Sequence, residues 1–291
     1  MDLKKLGSKI QPYANKLPSP LLLIYLKIAS ISRKAYYKNE SKLINGKLEI
    51  KSEKQSVIFF TIHKCASTFL NNQFNELLKN TDYTMINTSS YFTKEQRDYY
   101  YSDSSKIKSL FKPKGIWYGP YRFFIDVPNL NHYKVILILR DPRDVLTSYY
   151  FTAAFNHPIS DKAVIEERKE AQALNIDEYV IKKSELFYQR YFDYLQKVKP
   201  LQNVLLLKYE DMIVDYNTFL SEISDFVGMD ENEKIHELVG KSSFKVDKED
   251  PNSFIRNIKA GDHKEKLKPE TISFLNKKFA KILEGFNYPI S

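Results

Sequence analysis

A single cysteine, Cys65, stands in 291 residues, so no intramolecular disulfide can staple this chain. No Cys/His cluster has zinc-finger spacing, and a reducing compartment suits such a composition. Glycine is scarce, eight residues in all, and none falls between residues 60 and 72. That absence excludes a Walker A loop, which needs two glycines ahead of its Lys-Ser/Thr, at the strand-to-helix turn found there. The amino-terminal region has one apolar run, Leu21 to Ser32, and Lys27 interrupts it. Twelve helical residues span roughly 18 Å, short of the ~30 Å hydrocarbon core of a bilayer. The run follows a lysine-rich stretch ending in Pro18 and Pro20 and has no small-residue cleavage site. Neither a signal peptide nor a membrane span is expected.

Positive charge is plentiful but unevenly placed. The net charge is +9, and residues 1–54 hold twelve Lys/Arg against four Asp/Glu, a balance of +8 that leaves +1 for the other 237 residues. The basic character belongs to an arm, so no nucleic-acid-binding core is expected. The arm's apolar run can pack on the rest of the protein with a solvated basic face. It can also lie on an anionic membrane surface, which makes peripheral contact through residues 1–54 the alternative to a plain cytoplasmic location. A chain of this length buries a large core without staples.

Three segments repeat one pattern. Ser56 to Ile62, Lys134 to Leu139 and Asn203 to Lys208 are short apolar runs bounded by polar residues, suited to strands buried on both faces. Each is followed by an amphipathic helix: Phe69 to Lys79, a helix from Asp144, and Tyr216 to Val227. Strand-then-helix units predict a three-layer α/β/α fold around a central parallel sheet. Residues 55–291 form that domain and residues 1–54 the arm. The mostly helical stretch 152–200 and the loop-rich stretch 240–270 are placed to cover the carboxyl ends of the strands, where ligands bind in such sheets.

The chemistry gathers at two of the strand ends. His63-Lys64-Cys65-Ala66-Ser67-Thr68-Phe69 links a strand to a helix, a position with free backbone N–H groups and a positive dipole end. Lys64 adds charge, and Ser67 and Thr68 add hydroxyls. By itself this is also the pattern of an N-capped helix with a surface lysine. The second segment ends its strand in Arg140 and carries Ser148 two helical turns later, so both can approach one anion. An Arg140–Asp141 helix cap is the structural alternative. Cys65 reads as a small packing residue rather than a nucleophile.

Here the chain resembles the sulfotransferase family. Its 5′-phosphosulfate loop is a strand followed by Lys-x-small-Ser/Thr-Thr-aromatic, as in Lys64 to Phe69. Its 3′-phosphate motif is matched by Arg140-Asp141-Pro142-Arg143-Asp144-Val145 through Ser148-Tyr149-Tyr150. Tyr209-Glu210-Asp211-Met212, Ser242-Ser243-Phe244-Lys245 and Phe254-Ile255-Arg256 through Gly261-Asp262 are similar to blocks of the cytosolic branch, in the same order. The resemblance implies a P-loop-like nucleotide-binding core. It implies 3′-phosphoadenosine 5′-phosphosulfate (PAPS) as sulfuryl donor, 3′-phosphoadenosine 5′-phosphate (PAP) as product, and no metal. On that footing Lys64, Cys65, Ala66, Ser67 and Thr68 line the phosphosulfate, with Lys64 steadying the leaving oxygen. Arg140, Ser148 and Arg256 grip the 3′-phosphate, and Ser148 stands with Lys64 beside the reacting centre. Phe69, Tyr209, Ser242 and Phe244 enclose adenine.

Two departures stand out. Asn257 and Ile258 replace Lys-Gly in the 3′-phosphate segment, with Lys259 as a substitute charge. The family's histidine in a Thr-His-Leu-Pro-like stretch has no counterpart in Trp117 to Arg122. His63, Tyr118, Asp126 and His157 are the candidate bases. A catalytically silent PAPS binder or membrane-peripheral scaffold, and a small-molecule kinase of P-loop type, are the competing functions. The acceptor, a small molecule, lipid or glycan, and the oligomeric state are not written in any motif.

Overall fold

The computed structural model describes residues 35–79, 81–157, 162–229, 232–242, 249–250, 253 and 256–290, with the isolated positions 21, 24 and 31. Helix α1 (Lys38–Ile44) precedes strand β1 (Val57–Thr61) and helix α2 (Ser67–Leu77). After the short β2 (Thr84–Ile86) come three small helices, α3 (Thr88–Tyr91), α4 (Lys94–Tyr101) and α5 (Ser104–Leu110). Next are β3 (Ile116–Tyr121) and β4 (Lys134–Leu139), then α6 (Pro142–Phe151) and a π turn (Thr152–Asn156). Helices α7 (Lys162–Ala173) and α8 (Ile176–Lys197) lead to β5 (Val204–Lys208). That strand runs into α9 (Tyr209–Val214), α10 (Tyr216–Val227) and α11 (Asn232–Lys241), and α12 (His263–Lys266) and α13 (Pro269–Gly285) follow.

The strands form one sheet in the order β2-β3-β1-β4-β5, with every pairing parallel. Side chains alternate between its faces, and both faces are covered. Ile58, Phe60, Tyr118 and Leu137 pack with Phe187, Tyr191 and Tyr194 of α8 and Phe279 of α13. Val57, Phe59, Trp117 and Ile136 pack with Phe74 of α2, Leu220 of α10 and Leu238 of α11. Two-sided burial is why these strands read as unbroken apolar runs.

The three strands expected from the sequence are β1, β4 and β5; β2 and β3 were not. β2 is only three residues long. β3 contains Gly119-Pro120, and proline lacks the N–H that an interior strand donates. The sheet accommodates it with a register shift between Ile58 and Phe60 of β1, opposite that dipeptide. Gly119 holds φ +113°, and a Cβ there would fall 2.5 Å from the Phe59 carbonyl oxygen, so the close approach requires glycine.

Helix α8 fixes the carboxyl edge of the sheet. The Tyr194 hydroxyl bonds the carbonyls of Thr61 (2.8 Å) and Tyr121 (3.3 Å), and that of Tyr191 donates to the Arg140 carbonyl. Part of the expected arm packs on the domain: Leu43 is buried, and the Glu40 carboxylate accepts from the Asn87 amide at 2.6 Å. Most of the Leu21–Ser32 run lies outside the described residues. Among the described residues no helix is long and apolar enough to cross a membrane.

Candidate functional site

Residues 63–66 turn the chain from β1 into α2. Two non-glycine residues hold left-handed backbones there, Lys64 at φ 69° and Ala66 at φ 54°. Each such residue costs about 1–2 kcal/mol, so the surroundings must enforce the loop. Cys65 supplies part of that hold: its side chain is fully buried, and burial pushes its thiol up to about 12. It packs the loop and offers no thiolate. The turn leaves the first-turn amides of α2, at Ser67 and Thr68, without intrahelical acceptors at the positive helix end.

Lys64 is crowded by positive charge. Burial first, then Arg140, Arg256 and Arg122, bring its ammonium down to about 8. Arg140, one residue past β4, is buried and joins three parts of the site. It donates to the Lys64 carbonyl at 3.2 Å and to the Lys259 carbonyl at 2.9 Å, and its guanidinium lies 4.4 Å from the Tyr209 ring centre. Asp144 is 3.9 Å away, and the Arg140 Nε is buried without a hydrogen-bond partner. Arg256 is gripped by Glu249 and Asp262 and stacks over the Phe151 ring at 4.2 Å. Ser148 is half-buried on α6.

The aromatic side of the site begins at Phe69, whose ring centre is 5.6 Å from that of Tyr216. The Tyr216 ring is buried, and the Ser242 hydroxyl donates to the Leu238 carbonyl at 2.8 Å. Phe244 lies outside the described residues. The Lys259 ammonium pairs with Glu265, so the expected substitute charge is engaged elsewhere, while the Lys259 backbone serves Arg140.

The candidate bases fare differently from one another. Tyr118 is corrected: it is fully buried against Phe111, donates to the Leu110 carbonyl and accepts from the Lys112 amide. Burial raises its hydroxyl far above the ordinary tyrosine range, so it takes no proton near neutrality. Asp126 is exposed and makes no side-chain hydrogen bond or ion pair among the described residues. His63 is placed beside Lys64, but its Nδ1 lies 2.9 Å from Arg190 Nη1. Arginine only donates, so Nδ1 accepts and the ring proton sits on Nε2. Burial, followed by Arg190, Arg122, His157 and Lys64, holds this imidazole well below its usual value. A neutral ring with its lone pair occupied is a hydrogen-bond donor, not a base. His157 is half-buried close enough to act on His63, with its carbonyl held by Arg168.

Two arginines of the site were not among the expected residues. Arg122, the first residue past β3, donates from Nε to Ser67 Oγ at 3.0 Å. Its position matches those of Arg140 after β4 and Tyr209 after β5, a regularity the sequence hides because Gly119-Pro120 argues against a strand there. Arg190, on α8, carries no local signal at all. Among the described residues no group of three or more His, Cys, Asp or Glu is arranged to hold a metal.

A family model for the sulfotransferase domain matches residues 54–287. Sulfotransferase 2A6 of Rattus norvegicus is 28% identical over 173 residues, which is 53% of this chain and 57% of the relative. The 3-alpha-hydroxysteroid sulfotransferase of Cavia porcellus is 30% identical over 120 residues, 40% of this chain and 39% of the relative. The chain thus spans about half the length of the curated relatives it matches. Among solved structures, mouse sulfotransferase SULT7A1 complexed with PAP has a TM-score of 0.54 at 17% identity, covering 85% of this chain and 91% of that one. That likeness is one of fold.

Proposed function

Because this chain belongs to the sulfotransferase-domain family, we propose that it moves a sulfuryl group from PAPS to a hydroxyl or amine of an acceptor. The observation that carries the reading is Arg140: one buried guanidinium touches the loop, the 256–263 segment and Tyr209, and keeps an unpartnered Nε. A buried donor without an acceptor is unfavourable unless a ligand supplies one. The residue types fit a nucleotide carrying two anionic groups and a flat base: cations and the amides that open α2 can meet the anions, and Phe69 and Tyr209 offer aromatic faces.

When bound, PAPS supplies an activated sulfuryl group, whose transfer leaves PAP and releases one proton from the acceptor. Lys64, cationic below about pH 8, neutralises charge building on the leaving oxygen. The Ser67 and Thr68 amides and hydroxyls orient the 5′ end. Arg140, Arg256 and Ser148 bind the 3′-phosphate, and Phe69, Tyr209 and Ser242 flank the base. The positive charge needed in the transition state comes from side chains already in place, which lose nothing to reorganisation. The occupied lone pair of His63 also favours a second reading, a PAPS-binding protein without turnover.

Calorimetric titration with PAP, without metal, tests the donor site. Wild type should bind, and Arg140→Met should weaken binding more than about tenfold, ~1.4 kcal/mol, with its melting temperature checked alongside. No binding by wild type removes the proposal. Release of PAP from PAPS over an acceptor panel separates the enzyme from the silent binder.

A further inference from the structure

Two guanidinium groups beside the donor loop form no ion pair with a carboxylate among the described residues, although Glu167 lies near enough to Arg190 to act on its charge. Arg140 faces Asp144, Arg143 pairs with Asp141, and Arg256 pairs with Glu249 and Asp262. Arg122 and Arg190, both half-buried, form no ion pair among the described residues. Each makes one side-chain hydrogen bond, Arg122 Nε to Ser67 Oγ at 3.0 Å and Arg190 Nη1 to His63 Nδ1 at 2.9 Å. Removing a cation partly from water without a counter-ion is unfavourable, and a bound anion relieves it with charge-assisted hydrogen bonds.

The sheet order says which ligand meets them. The Arg140 and Tyr209 positions lie at the ends of β4 and β5, the loop at the end of β1, and Arg122 at the end of β3 on the opposite side. In-line transfer brings the acceptor to the side away from the leaving nucleotide, and that is the β3 side. Arg190 reaches the same side. Tyr194, one turn further along α8, bonds the terminal carbonyls of both β1 and β3, which sets Arg190 over the gap between these strands. His63, with Nδ1 occupied, presents Nε2–H. The group offers only hydrogen-bond donors, two of them cationic.

We propose that the acceptor of this chain is an anion. A carboxylate, phosphate or sulfate group of the acceptor is held by Arg190 with Arg122 and His63, while a hydroxyl or amine of the same molecule faces the Lys64 loop. The term acceptor rests on the sulfotransferase reading; the anion site does not. The same cations favour ionisation of a nearby acceptor hydroxyl, which lightens the demand on a protein base.

The test compares 4-hydroxyphenylacetate with its methyl ester, two phenols that differ by one carboxylate. Each is titrated calorimetrically into the protein saturated with PAP and into the protein alone. The acid should bind at least about tenfold more tightly than the ester. Arg190→Met should abolish that preference, Arg190→Lys should retain most of it, and the Kd for PAP should be unchanged in both. An ester bound as well as the acid by wild type, or a preference that survives in Arg190→Met, overturns the proposal. Failure to bind PAP with the preference intact would sink the sulfotransferase reading and leave the anion site standing.

Discussion

The Asp144 carboxylate accepts from both the backbone nitrogen and the ring Nδ1 of His263, at 2.9 and 2.6 Å, across 119 residues of chain. Its other oxygen accepts from the Gly261 amide at 2.7 Å. Both side chains are buried. The contact clamps the segment that carries Arg256 and Lys259 onto the first turn of α6, beside Arg140. Burial by itself would raise the Asp144 carboxyl, but the His263 hydrogen bonds and Arg140 hold it below its usual value.

Asp144→Asn should therefore loosen the clamp. An amide NH2 would face one of the N–H donors, leaving a buried group unsatisfied, and stability should fall by about 3 kcal/mol in urea denaturation. PAP affinity should fall with it. In wild type, the stabilisation from Asp144 is fully present above the unfolded carboxyl value of about 3.9. It is lost as pH falls through the lower folded value. An acid-denaturation curve for the variant that overlays wild type would contradict this account.

Arg143 is fully buried and all its contacts are structural. It donates to both Asp141 oxygens at 3.0 and 2.6 Å, to Asn276 Oδ1 at 2.6 Å and to the Pro289 carbonyl at 2.7 Å. Lysine cannot reproduce that planar fork. Arg143→Lys should lower stability by about 3–5 kcal/mol, read as a shift of the denaturation midpoint. At temperatures where the variant stays folded, PAP affinity should change far less than in Arg140→Met.

Lys64 sets a pH dependence of known sign. Its folded value is about 8, below the ~10.4 of an unperturbed lysine. Its unfavourable effect on folding is present below about pH 8 and fades as pH rises towards the unfolded value. PAP binding should be steady below about pH 8 and weaken above it as the ammonium deprotonates, with proton uptake on binding near pH 8 to 9. Lys64→Arg should flatten that slope, and an equally steep slope in the variant would assign the titration to another group.

Backbone substitutions test the loop and the hidden strand. Ala66→Gly should raise stability by up to about 1 kcal/mol by relieving a left-handed alanine, less the entropy glycine loses on folding. Gly119→Ala should do the reverse and more strongly, because its Cβ meets the Phe59 carbonyl oxygen at 2.5 Å. Thermal melts of both variants decide the signs.

Much of this arrangement is local enough to be read in the chain. Val57–Thr61, Lys134–Leu139 and Val204–Lys208 are apolar because both faces of the sheet are covered, and that covering is a property of parallel sheets in general. The Lys64 loop and Arg140 were legible because a strand end and the helix start after it lie within a few residues. β3 was not legible, since Gly119-Pro120 argues against an interior strand until the register shift that admits it is seen. The residues at the ends of β1, β4 and β5 are thus legible in the chain, and Arg122 and Arg190 are not.

The strand–loop–helix units, the glycine-free turn and the cations at the strand ends follow from the chain alone, because each depends on neighbours a few residues apart. The remaining features depend on distant packing. Only the packing of α8 across the sheet brings Arg190 to His63, 127 residues away, and turns that histidine from a possible base into a donor. Only the sheet order puts Arg122 opposite Arg140. Hydrogen-bond occupancy and desolvation are properties of what surrounds a side chain, and for these residues the surroundings come from distant parts of the chain.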